Sequence, residues 1–142
     1  MAKLFRQSPL NSIWEGSGNV ICLDILRAAV SLPIFVADMR LQAGAHGSID
    51  SRLATLLDTL DADVAAICAD PRNPRHQAQA RNLADRLGIA LVASCLVRNQ
   101  SPAADSYIAS RVGSHVGVGY NYGSVEYTDD LCDRMLAESK AQ

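Results

Sequence analysis

The chain has 142 residues and a mass of 15.2 kDa, the usual size of one domain; it is 49% apolar, 20% charged and 5% aromatic, which suits a packed core and excludes a disordered chain. A formal net charge of −2 excludes an overall basic footprint for nucleic acid. No apolar run reaches the roughly 18 residues of a membrane span, and the opening MAKLFRQSPLNS lacks the apolar stretch of a secretory signal, so a cytoplasmic chain is expected.

Alanine and leucine dominate and β-branched clusters are few, which favours helix. From Gly18 to about Val30, the residues Val20, Ile21, Leu23, Ile25, Leu26 and Val30 surround most of a helical wheel. The pattern predicts a central, buried helix, with Asp24 and Arg27 three residues apart and within pairing reach. Pro33 forces a break. A short helix from Ile34 to about Gln42 should stop at Gly44 and Gly47. Ser48 is the expected N-cap of a long helix from about Ile49 to Ala69, whose stripe is Leu53, Leu56, Leu57, Leu60, Val64 and Ile67. Pro71 and Pro74 separate it from a second long helix, about Pro74 to Val97. Ser101 and Pro102 read as N-cap and first residue of another helix ending near Gly113. The glycine- and tyrosine-rich stretch 113–127 reads as extended or loop chain, not helix, and Thr128 with Asp129 and Asp130 caps a last helix to about Glu138. The expected architecture is one all-α domain over residues 1–142, a bundle of five to six helices.

The four cysteines, Cys22, Cys68, Cys95 and Cys132, are never closer than 27 residues. That excludes zinc-knuckle and redox-pair spacing, and buried free thiols are expected. With His46, His76 and His115 equally scattered, no metal site is expected. Charge is segregated. Residues 38–70 hold six Asp against two Arg, a net of −4, whereas 71–98 hold five Arg against one Asp, a net of +4. Two explanations are open: antiparallel helices with complementary surfaces, or a basic face aimed at an anionic polymer through Arg72, Arg75, Arg81 and Arg86.

The chemistry-bearing string is Asn11-Ser12-Ile13-Trp14-Glu15-Gly16-Ser17-Gly18-Asn19, with the lone tryptophan. A carboxylate beside Ile13 and Trp14 is expected to be desolvated and drawn toward the range of a general base. Gly16, Ser17 and Gly18 open a helix whose first N–H groups suit an anion. A capping turn with an incidental glutamate is the alternative on these residues alone.

The run NSIWEGSGNVICLDILRA resembles the corresponding segment of the acyl-CoA dehydrogenase flavoproteins, in particular their AidB-type, adaptive-response-to-alkylation branch. Leu4-Phe5-Arg6, Leu96-Val97-Arg98 and Ala109-Ser110-Arg111-Val112 are similar to further pieces of that family. The resemblance implies the C-terminal helical domain of such an enzyme. It implies that Glu15 takes the α-proton of an acyl-CoA thioester while the β-hydride passes to FAD. Ile13, Trp14, Gly16, Ser17, Gly18 and Asn19 would contact the cofactor, and Arg27 would lie near the active-site entrance, a salt bridge to Asp24 being its other reading. In that branch the C-terminal helices are also linked to double-stranded DNA. Family members are several times longer and carry an N-terminal helical region and a β-domain. The expectation is therefore a portion of such an enzyme, inactive alone, working as a homo-oligomer or with a partner chain. The alternative is a non-catalytic helical module for DNA contact or oligomerisation.

Overall fold

The computed structural model describes residues 2–10, 18–112, 132–134 and 136–137. Every regular element among them is helical: α1 (Ala2–Gln7), followed by a 3-10 turn (Ser8–Leu10); α2 (Gly18–Arg27), followed by a 3-10 turn (Ala29–Ser31); α3 (Leu32–Ala43); α4 (Ser51–Ala69); α5 (Pro74–Arg98); and α6 (Ala104–Arg111). The all-α bundle expected from composition is the fold found. Residues 132–134 and 136–137 are also helical, inside the last expected helix. The stretch 113–127, expected to be extended or loop chain, lies outside the described residues.

The amphipathic pattern of α4 decides the core. Leu53, Leu57, Leu60, Val64 and Ile67 recur every three or four residues, so they share one face, and none is more than 4% exposed. They meet Val36 and Met39 of α3 and Leu83, Leu87, Ala90 and Ala93 of α5. Helix α5 is the hub, packed against α2, α3, α4 and α6. Its buried alanines and Ser94 are small, which suits close approach of neighbouring helices. Burying each large side chain of this core is worth about 1.5–3 kcal/mol.

Several helix boundaries are set by side chains. Asn73 caps α5 by accepting from the Arg75 N–H at 3.0 Å, and Pro74 takes the first turn, where its missing N–H is harmless. Helix α3 starts one residue ahead of Pro33 and ends at Gly44, whose N–H reaches the Arg40 carbonyl at 3.1 Å. Gly47 then adopts φ +134°, a conformation open to glycine and strained for other residues.

Four expectations are corrected. Helix α2 is peripheral, not central. Cys22 is its one buried residue, while Val20 and Leu23 are 46% and 36% exposed and Val30 beyond it is 86% exposed. The helix lies along α5, and the core is built instead from α3, α4 and α5. A sequence apolar all round states what a helix tolerates, not how many neighbours it has. Second, the cap of α4 is Asp50, not Ser48: its carboxylate accepts from the Arg52 N–H at 2.9 Å and grips the same arginine's guanidinium. Third, Ser101 does not cap α6. Its hydroxyl accepts from the Ala103 N–H at 3.3 Å within a turn, and the helix begins at Ala104. Fourth, the free cysteines are not uniformly buried. Cys22 is, but Cys95 and Cys132 are half-buried and Cys68 is exposed, its Sγ 3.4 Å from the Ala29 carbonyl oxygen.

Candidate functional site

The site begins where α2 begins. Ile13, Trp14, Glu15, Gly16 and Ser17 lie outside the described residues; Gly18 and Asn19 form the first turn of α2. That turn leaves backbone N–H groups without helical partners, as every helix start does. Arg81 of α5 reaches it: Nη1 donates to Asn19 Oδ1 at 2.9 Å. A Cβ on Gly18 would come within 3.1 Å of the same Nη1, so the absence of a side chain there gives the guanidinium room. Beside this contact is a cavity of about 270 Å³ between Asn19, Cys22, Leu23, Gln77 and Arg81.

A little over two turns on, Arg27 is exposed and ion-paired with Asp24. The salt bridge open in the sequence is therefore formed. Arg27 also borders a space of about 460 Å³ with Leu23, Leu26, Val30 and Pro71. A carbonyl or carboxylate entering that space would meet a guanidinium already committed to Asp24.

The four arginines offered as one basic face are divided by the fold. Helix geometry places Arg75 and Arg86, eleven residues apart, on the same side of α5, and Arg81 well away from both. Arg81 turns to α2. Arg75 and Arg86 border a cavity against α4, where Arg86 pairs with Asp63. Arg72 is exposed in the turn between α4 and α5.

The acidic stretch has its own cations. Arg40 of α3 donates to Asp58 at 2.8 Å and to Asp61 at 2.7 Å on α4, and these two carboxylates raise its pKa against a small desolvation cost. Arg52 bridges Asp50 and, at 2.9 Å, Asp105 of α6. The Arg52 guanidinium holds the Asp50 carboxyl below the usual carboxylate range, against the opposing effect of burial. Among the described residues, Arg86–Asp63 is the ion pair that joins α4 to α5. Complementary helix surfaces therefore account for one of the arginines of 71–98, not for the whole charge pattern.

A feature the sequence reading missed is a groove of about 610 Å³ between α5 and α6, bordered by Arg81, Asp85, Gly88, Ile89, Tyr107 and Arg111. Burial pushes the Tyr107 hydroxyl pKa up, and Arg111 partly opposes it. The spacing of Arg81, Asp85 and Gly88 on α5 and a helix ending near Gly113 were both legible, but not that the two pack together. No three His, Cys, Asp or Glu side chains among the described residues converge as metal ligands.

Comparison with known proteins adds one likeness. A stretch of 27 residues, 19% of this chain, is 63% identical to AidB of Escherichia coli (strain K12), a protein named as an acyl-CoA dehydrogenase. The matched stretch spans 5% of that relative's length. No family model matches the chain, and no solved structure matches it. The likeness is local, high in identity and short. It links part of this chain to an acyl-CoA dehydrogenase relative and leaves the roles of individual residues to experiment. Among the described residues no single helix is long and apolar enough to cross a membrane.

Proposed function

We propose that this chain is the base-bearing, C-terminal helical portion of an FAD-dependent, AidB-type acyl-CoA dehydrogenase-like oxidoreductase. The observation that carries the reading is the 63% identity over 27 residues, together with the resemblance of the Asn11–Asn19 string to that family's base-bearing turn. In this reading Glu15 removes the α-proton of an acyl-CoA thioester. FAD, when bound, supplies the acceptor for the β-hydride. The turn through Ile13, Trp14, Gly16, Ser17, Gly18 and Asn19 lies against the cofactor, and Arg27 guards the entrance.

The residues of this chain have three tasks. The first is to hold a carboxylate in apolar company, so that it is basic enough to take a weakly acidic proton. The second is to start a helix right after it, so that its free N–H groups face an electron-rich group. The third is to present surface to the rest of the enzyme or to a second copy. Ile34 and Leu41, seven residues apart on α3, are each 75% exposed, and Val30 is 86% exposed. Apolar side chains left open in this number favour a partner surface, either a homo-oligomer or a separate chain.

The test is Glu15→Gln with the other domains of such an enzyme supplied by fusion or in trans. Acyl-CoA oxidation should fall by about 10²–10⁴-fold while flavin binding survives. Retained activity would make Glu15 a turn residue only.

A second reading is a non-catalytic module contacting double-stranded DNA. It is favoured by Arg72 and Arg75, which are exposed and form no ion pair among the described residues. It does not draw on Arg81, which is bonded to Asn19.

A further inference from the structure

Arg81 of α5 and Asn19 of α2 meet through one hydrogen bond, Nη1 to Oδ1 at 2.9 Å. The bond settles which way the Asn19 amide faces. A carboxamide carries an acceptor on one corner and an NH₂ donor on the other, whereas a guanidinium has donors and no acceptor. Only Oδ1 can therefore face Arg81, and Nδ2 is the corner left for a ligand. Arg81 also holds the amide away from its own backbone. An asparagine in the first turn of a helix readily folds its oxygen onto a nearby N–H. Here that oxygen is taken by a residue 62 positions along the chain.

The approach is built in from both sides. Gly18 has no side chain, and a Cβ there would lie 3.1 Å from Arg81 Nη1 and 3.7 Å from Nη2. Asn19, Gln77 and Arg81 border one cavity of about 270 Å³. Asn19 is exposed, so its amide stands at an open edge and not in the core.

We propose that Arg81 is a positioning residue: it fixes the Asn19 carboxamide with Nδ2 free to face a ligand, so that Asn19 donates a hydrogen bond to an acceptor atom of the flavin cofactor. The inference rests on the FAD-dependent reading above and adds to it a residue on α5 with a defined task. The group that Asn19 selects is an acceptor, a carbonyl or phosphate oxygen or a ring nitrogen. A donor at that point would leave the NH₂ group unpaired.

The test follows FAD binding by flavin fluorescence, with the full chain and the other domains of such an enzyme supplied in trans, alongside the melting temperature of the chain alone. Asn19→Asp keeps an oxygen on Arg81 and strengthens the tie by charge, but sets a second oxygen where Nδ2 was. Arg81→Glu offers an acceptor to Asn19, which turns the amide round. Each should weaken FAD binding by about tenfold or more, because an acceptor is left facing an acceptor. The melting temperature of Asn19→Asp should stay at or above the parent's. Arg81→Lys keeps a donor for a single bond and should bind FAD within about threefold of the parent. Gln77→Glu adds a negative charge beside the same cavity and leaves the Arg81–Asn19 pair intact, so it should bind as the parent does. Unchanged affinity in Asn19→Asp or Arg81→Glu, an equal loss in Arg81→Lys or Gln77→Glu, or a lower melting temperature in Asn19→Asp overturns the proposal and leaves the FAD reading in place. Failure of the parent to bind FAD overturns that reading and the proposal with it.

Discussion

Arg81 Nη1 donates to Asn19 Oδ1 across 2.9 Å, tying the N-terminal third of α5 to the first turn of α2. The bond spans 62 residues of sequence and makes the start of α2 depend on α5. Arg81→Ala should loosen that turn without unfolding the bundle, since an exposed bond of this kind is worth no more than about 1 kcal/mol. Hydrogen exchange should quicken at the amides of Cys22 to Asp24, the first to bond back to that turn, and stay unchanged in α4. Uniform protection across both helices would show that the bond carries no local order.

Two glycines should respond in opposite directions. Gly47 sits at φ +134°, so Gly47→Ala should lose about 1–3 kcal/mol. Gly88 lies within α5, and a Cβ there would meet nothing within 4 Å, so Gly88→Ala should gain up to about 1 kcal/mol in helix propensity. Urea midpoints of the two variants would move to opposite sides of the parent. A shared direction would contradict the backbone assignment at Gly47 or the open space at Gly88.

Acid should act through Asp50. Arg52 lowers its folded-state pKa, so the pair contributes stability above the ordinary Asp value of about 3.9. That contribution is lost as pH falls through the lower folded value. Asp50→Asn keeps an N-cap but removes the titration. The slope of melting temperature against pH below about pH 4 should become shallower in the variant. An unchanged slope would place the acid sensitivity elsewhere.

Duplex binding, if Arg72 and Arg75 carry it, should weaken steeply with salt and show no sequence preference. Changing both to Gln should reduce the salt slope by up to about 0.9 per lost phosphate contact. Arg81→Gln should leave the slope as it is. Equal effects of all three substitutions would restore a continuous basic face that the packing of α5 argues against.

The sequence by itself determined what depends on near neighbours along the chain. The stripe from Leu53 to Ile67 had to be one helix face, because its spacing matches 3.6 residues per turn. Pro74 had to stand at a helix start, and Gly44 near a helix stop, because of their own backbone chemistry. The Asn11–Asn19 string was legible as a chemical motif because its residues are contiguous, although seven of its residues, Asn11 to Ser17, lie outside the described region. Tertiary structure alone decided what depends on which helices meet. It left α2 on the surface, because three other helices close the core first. It gave Asp58 and Asp61 to Arg40, and Asp63 to Arg86. It also turned Arg81 away from Arg75 and Arg86, since a charge count along the chain carries no angle about the helix axis, and that angle determines the partner each guanidinium finds.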